Sequence, residues 1–199
     1  LLYVEDVDKF ERLPARLKTH FENCATELKD RAAYKRGNCD WWRYTWPLHR
    51  EYYARARMIC PFLATNNRFA LVDDNKYIGL TDTTVVFDNG QKESLKYVLA
   101  LLNSKLLTMR FRTIGKLKGG GIFEYFWNSI SKLPIRRIDF SASSDVTHHD
   151  KLVALVDKML ALAPKLRSAR SESDRSTLQN AIASTDRQID SLVYYLYRL

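Results

Sequence analysis

Met58-Ile59-Cys60, Phe69-Ala70-Leu71-Val72, Tyr77-Ile78-Gly79-Leu80 and Thr84-Val85-Val86-Phe87 follow one another between residues 57 and 87. Asn66-Asn67, Asp73-Asp74-Asn75 and Asp88-Asn89-Gly90 separate them. These types favour turns because their short polar side chains bond their own backbone or, for glycine, accept positive φ. Apolar runs this short, rich in β-branched and aromatic residues, read as strands rather than helices. Asp74-Asn75 suits a hairpin. The stretch predicts three or four mostly antiparallel strands.

Helical spacing begins on either side. Downstream, Leu95, Val98, Leu99, Leu102, Leu106 and Met109 share one face of a core helix that Ser94 or Asn89 can start. Upstream, Phe10, Leu13, Leu17, Phe21, Cys24 and Leu28 predict a helix from Pro14, or a few residues earlier, to a point before Gly37. Trp41, Trp42 and Trp46 follow, and two or three of them should anchor a core. After Ile138 the character changes. Ser141-Ala142-Ser143-Ser144 reads as a linker, then Leu152, Val156, Met159, Ala163 and Leu166 alternate by four and three. Leu178, Ile182, Thr185, Ile189, Leu192, Leu196 and Leu199 repeat the pattern beyond the polar turn Ser171-Glu172-Ser173-Asp174. Pro164 should kink or restart the first of these helices. The expected fold is α+β: a mixed, mostly antiparallel sheet with flanking helices over residues 1–140, then an antiparallel helical hairpin over 145–199 as a spacer or docking element.

The 199 residues carry a net charge of +9 and a pI near 9.5. Residues 101–140 hold eight Lys and Arg against Glu124 and Asp139, so most of the excess sits in one window. A polyanion is the natural partner for such a window, with duplex DNA the leading candidate. Apolar runs stop far short of a membrane span. Cys24, Cys39 and Cys60 form no CxxC pair, which argues against a disulfide framework and a zinc site and for reduced thiols in a cytoplasmic protein. His148-His149 precede a helix and read as a solvated pair rather than metal ligands. The chain starts at Leu1, not Met, which points to a piece of a longer protein.

Catalytic strings are missing. An adenine-modifying methyltransferase would need a glycine-rich cofactor loop and an Asn/Asp-Pro-Pro-aromatic site; the chain contains neither. Gly119-Gly120-Gly121 lacks the Walker spacing and its Lys-Ser/Thr ending, and no Gly-x-Ser-x-Gly elbow occurs. Asp73-Asp74 with Lys76 superficially fits a nuclease pattern, which a hairpin turn explains better. No catalytic, cofactor-binding or metal residue is expected in this chain.

Several strings, taken in order, carry a resemblance. They are Asn66-Asn67-Arg68-Phe69-Ala70-Leu71, Asp82-Thr83-Thr84-Val85-Val86, Tyr97-Val98-Leu99-Ala100-Leu101-Leu102-Asn103-Ser104-Lys105-Leu106-Leu107, Lys118-Gly119-Gly120-Gly121, Leu133-Pro134-Ile135, and Thr185-Asp186-Arg187-Gln188-Ile189-Asp190-Ser191-Leu192-Val193-Tyr194. Together they resemble the TaqI-like C-terminal specificity domain, the target-recognition region of N6-adenine DNA methyltransferases and fused type IIG restriction-modification enzymes. The resemblance covers roughly residues 43–199, and the N-terminal helix fits it only loosely. It implies a division of labour. An N-terminal methyltransferase domain of the same polypeptide would flip an adenine and methylate it from S-adenosylmethionine, a fused nuclease being open. This chain would grip double-stranded DNA and choose the sequence. The helical hairpin resembles the spacer helices of type I specificity subunits, so a stand-alone subunit that recruits separate methylase or nuclease subunits is the alternative. An enzyme within this stretch and a purely structural scaffold are the remaining rivals.

Lys116, Lys118 and Gly119-Gly120-Gly121 form the first candidate contact. Glycines admit close backbone approach, and the lysines neutralise phosphates. Arg110 and Arg112 flank them, and Arg43 can stack on an aromatic face or reach a phosphate, loop anchoring being the plainer role. Asn66, Asn67, Arg68, Asn128, Arg136 and Arg137 carry the donors and acceptors that base edges require; Asn66-Asn67 serve a turn equally well. Tyr125 can stack or bond at a groove edge, whereas Phe123, Phe126 and Trp127 should pack. Leu133-Pro134-Ile135 reads as a strand entry.

Overall fold

The computed structural model describes residues 9–45, 54–72, 79 and 82–199. They fall into two compact units, divided between Ala54 and Arg55.

The first unit is helical. The expected single helix is three short ones, α1 (Ala15–Asn23), α2 (Ala25–Asp30) and α3 (Ala32–Lys35), after a 3-10 turn at Phe10–Arg12. Extended backbone at Arg31 (φ −58°, ψ 136°) breaks the helix between α2 and α3. The Arg31 guanidinium then donates to the carbonyls of Leu28, Trp41 and Arg43, the last two at 2.8 Å. That holds the Asn38–Arg43 loop, so Trp42 packs edge-on against Phe21 while Phe10 meets both indoles at 5.2 and 5.6 Å. Two of the three tryptophans thus anchor this small core, and Trp46 lies outside the described residues.

The second unit holds two three-stranded antiparallel sheets. In the first, β1 (Arg57–Pro61) lies between β3 (Ala70–Val72) and β4 (Thr83–Phe87), with Met58 opposite both Leu71 and Val86. Met58 and Cys60 face inward and are fully buried, which is the alternation a half-covered sheet needs. The run Tyr77–Leu80 and its hairpin turn at Asp74-Asn75 lie outside the described residues, Gly79 excepted. The second sheet was not legible beforehand. It sets β6 (Ile122–Glu124) between β2 (Leu63–Ala64) and β5 (Lys116–Gly119).

Between the sheets and the C-terminal helices lies α4 (Leu95–Asn103), whose Ser94 cap accepts from the Lys96 amide. Residues 97 to 102 of α4 are all buried, since a helix covered on all sides needs apolar residues all round rather than one stripe. The expected continuous helix to Met109 ends here. Ser104 takes extended backbone and caps a second helix, α5 (Lys105–Ile114), through its Oγ to the Leu107 amide. The break turns Met109 outward, 62% exposed.

After the short α6 (Trp127–Ile130), residues 133–138 form no strand. Side chains satisfy their backbone instead: Tyr97 donates to the Arg136 carbonyl, Tyr197 accepts from the Arg136 amide and donates to the Pro134 carbonyl, and Glu93 accepts from the Ile138 amide. The hairpin is α7 (Ser143–Ser168) and α8 (Glu172–Leu196). Helical structure runs through Pro164 without a restart, Ser143 and Ser144 open α7 rather than serving as linker, and Ser171 caps α8. Leu152, Val156, Ile189 and Val193 join one core with Met58, Leu99 and Leu101. Residues 143–196 therefore pack into the same compact unit as the sheets.

Polar pins hold the break in the buried helix. Asn67, 8% exposed, donates to the Leu102 carbonyl and accepts from the Tyr125 hydroxyl at 2.9 Å. Asn103 brackets Phe69, donating to its carbonyl and accepting from its amide, both at 2.9 Å. Asp190 of α8 accepts from the Lys105 amide at 2.9 Å. Replacing Asn67 with Ala orphans a buried carbonyl and hydroxyl. It should lower unfolding free energy by about 2 kcal/mol, read as a fall in the urea midpoint at unchanged slope; a midpoint equal to wild type would remove Asn67 from this role.

Candidate nucleic-acid interface

Several of the expected contact residues follow one another on consecutive elements of the second unit. Gly115 alone separates α5 from β5, so Arg110 and Arg112 lead directly into Lys116 and Lys118. What read as a glycine loop is a β-hairpin. Leu117 pairs with Phe123 and Lys116 with Glu124, and a bulge follows between Leu117 and Gly119. Gly119, Gly120 and Gly121 have φ of 106°, 58° and 74°, a run that L side chains rarely adopt. A Cβ at any of them would meet open space, so the tip is bare and accessible backbone.

Alternation decides what the hairpin shows. Residues paired across strands share a face, so Lys116, Lys118 and Glu124 stand together and Leu117 opposes Phe123. Both lysines reach the Glu124 carboxylate, Lys118 at 2.7 Å and Lys116 at 3.7 Å. The Lys118 hydrogen bond holds the Glu124 carboxyl below its ordinary range, despite a smaller opposing effect of burial. One carboxylate thus tethers two cations and leaves the pair with net positive charge.

Arg112 donates to the Asn66 side chain at 2.6 Å and to the Thr65 carbonyl, so the stretch after β2 lies against the end of α5. Arg68 beside it is exposed and makes no ion pair among the described residues. Asn128 on α6 and Lys132 just beyond are exposed as well. The aromatics expected to pack divide. Phe123 is half-buried, edge-on to Phe111, whereas Phe126 stays exposed and Trp127 is 64% exposed. Leu63, Leu117 and Ile122 are exposed on the same sheet. By register Leu63 and Ile122 share the face of Glu124 and Leu117 that of Phe123, and sequence reading missed these exposed side chains because it did not see the second sheet.

Other candidates have different company. Asn67 and Tyr125 are inside the fold, Tyr125 1% exposed and stacked on Phe111 at 4.1 Å, so neither presents base-reading atoms. Burial pushes the Tyr125 hydroxyl up to about 12. Arg136 forms a two-pronged pair with Asp145 at 2.9 and 3.1 Å, and Arg137 reaches over the buried Glu93 at 2.7 Å. These arginines fasten residues 133–138 to α7 and to the turn before α4. Arg43 belongs to the first unit, 4.9 Å over Trp42 and paired with Asp40, which is the aromatic-stacking role. His149 is buried rather than solvated: it accepts from the Ser94 amide through Nε2 and lies between Tyr97 and Phe140. Among the described residues no cluster of His, Cys, Asp or Glu could hold a metal ion, and no helix is long and apolar enough to cross a membrane.

An α+β module with bare glycine backbone, clustered cations and exposed aromatics at one end is the class of surface that grips a polyanion. The chain belongs to the TaqI-like C-terminal specificity domain family, whose model matches residues 9–135. The match begins in the N-terminal helical unit, earlier than the resemblance placed it, and stops short of α7. The chain is also 34% identical over 97 residues, 49% of its length, to two proteins of Haemophilus influenzae, type II methyltransferase M.HincII and type II methyltransferase M.HindII. It spans about a fifth of each relative, 19% and 18% respectively.

The carboxylates behind Arg136 and Arg137 make stability pH-dependent. Burial works to raise the Glu93 carboxyl, but the Arg137 hydrogen bond and the Ile138 amide overcome it and leave it lowered. The Arg136 hydrogen bond lowers Asp145. Both bind a proton less readily folded than unfolded, so their contribution is present above the ordinary carboxylate range near pH 4 and is lost as pH falls through the folded values. Glu93→Gln should flatten the loss of thermal stability between about pH 5 and pH 3. An acid limb identical to wild type would show that Glu93 is not the titrating group.

Proposed function

We propose that this chain is the sequence-specific, double-stranded-DNA-recognition module of a restriction-modification enzyme. The observation that carries it is the cationic glycine hairpin, with Arg110 and Arg112 behind it, in a chain of the TaqI-like specificity family whose relatives are type II methyltransferases. Lys116, Lys118, Arg110 and Arg112 engage phosphates, and the bare backbone at Gly119–Gly121 lies close against the duplex. Asn66, Arg68 and Asn128 are the exposed candidates for base edges. Of these, Asn66 must exchange its bond from Arg112 for one to a base.

In this reading an N-terminal methyltransferase domain of the same polypeptide transfers a methyl group to adenine N6. S-adenosylmethionine belongs to that domain, and no residue of this chain is assigned to it. An endonuclease fused to the same polypeptide, as in type IIG enzymes, and a cytoplasmic location go with the reading. The long α7–α8 hairpin favours one further reading, a specificity subunit of the type I kind that recruits separate subunits.

Lys116→Ala with Lys118→Ala should weaken binding similarly on every duplex and flatten the salt dependence by about one to two units. Glu124→Gln should act oppositely and tighten binding, because it frees both lysines for phosphate. Fluorescence anisotropy on cognate and random duplexes across a salt series reads both. A slope unmoved by the lysine pair would take the hairpin out of the interface. Asn128→Ala or Arg68→Ala should instead relax sequence preference, and equal losses on cognate and random duplexes would refute base reading there.

A further inference from the structure

The α7–α8 pair turns Leu152, Val156, Ile189 and Val193 into the core and leaves a groove between the two helices on its other side. The floor of that groove is apolar: exposed Ala154 with half-buried Leu155 and Leu192. Lys151, Lys158 and Arg187 stand along it, exposed and without an ion pair among the described residues. No carboxylate lines it. Of the acids on these turns, Asp157 pairs with Lys96, Asp150 with His149 and Asp190 with Lys105, while Asp186, next to Arg187 in the chain, lines a different groove with Ile182 and Ile189. The spacing is regular. Positions 151, 154, 155 and 158 share one face of α7, as positions 184, 187, 188, 191, 192 and 195 do on α8. Tyr195 closes one end, 4.9 Å from the His148 ring.

We propose that this groove docks an amphipathic α-helix of another protein, one whose apolar stripe is flanked by carboxylates. Two antiparallel helices with a shallow apolar seam between them accept a third by ridge-into-groove packing. Its carboxylates would meet the three unpaired cations, which sets orientation and partner choice more than raw affinity. A phosphate backbone would satisfy the same cations but leave Leu155 and Leu192 against charged oxygens, whereas an apolar stripe removes them from water. A second copy of this chain would bring like charges face to face. Helices α1–α3 mix lysine and arginine with their few acids and offer no acidic flank. The inference stands on α7–α8 alone and does not depend on the glycine hairpin binding DNA.

The test uses the whole chain and a synthetic peptide of about four heptads, with Leu at a and d and Glu at e and g. Calorimetry, together with a gain of helical circular dichroism on mixing, should show one-to-one binding. Lys151→Glu, Lys158→Glu and Arg187→Glu together should weaken it about tenfold or more. A matched peptide with Lys at e and g should then prefer the reversed variant. All three positions are exposed, and a melting curve like wild type verifies that the variant folds. The proposal is overturned if the Glu peptide does not bind, or binds the reversed variant equally well. A wild-type dimer abolished by the reversal would give the groove to a second copy. Duplex affinity lost in the reversed variant, with no peptide bound by wild type, would give it to nucleic acid. Both results also overturn the proposal.

Discussion

The fold depends on satisfying a helix that stops inside its own core. Between Asn103 and Lys105 the chain leaves α4 and begins α5, freeing carbonyls of one helix and amides of the next beside the buried Leu101, Leu102 and Ser104. Ser104 serves both ends, donating to the Leu101 carbonyl at 2.7 Å and accepting from the Leu107 amide at 3.2 Å. Asn67 takes the Leu102 carbonyl, and Asp190, eighty-five residues on, takes the Lys105 amide. Because α5 leads directly into β5, this junction aims the glycine hairpin.

Charge is distributed with the same economy. Arg136 and Arg137, which looked like base readers, are committed to Asp145 and Glu93 and anchor a segment whose backbone has no strand partner. Lys116 and Lys118 share one carboxylate, so they hold a defined position yet keep a net positive charge. Under the proposed DNA-binding reading, phosphates would have a single carboxylate to displace from both lysines. Trp127 and Phe126, exposed beside it, give the same end of the molecule apolar contact area.

Much of this was legible in the sequence. Turn residues and short apolar runs identified the first sheet, helical spacing located α4, α7 and α8, and the charge window pointed to the hairpin end. The strings that carried the family resemblance mark mainly the pins: Asn67, Ser104, Thr185 and Asp190 are buried, and Asn103 is spent on the Phe69 backbone. Asparagine has the same donors and acceptors whether it meets a base or a helix carbonyl, so residue type alone could not separate Asn67 from Asn66. The second sheet was hidden because β2 and β6 are very short and pair across sixty intervening residues.

What the sequence determined alone is local: where backbone can be helical, where it must turn, that three consecutive glycines would permit positive φ, and which window carries the positive charge. Those follow from side-chain sterics and composition, which act within a few residues. Tertiary structure decided which polar groups are used up inside. Hydrogen-bond partners such as Asn67 with Tyr125, or Arg136 with Asp145, exist only once distant segments meet and burial makes an unpaired group costly. Tertiary packing left Lys116, Lys118, Arg68 and Asn128 on the outside and drew Tyr125 into the core.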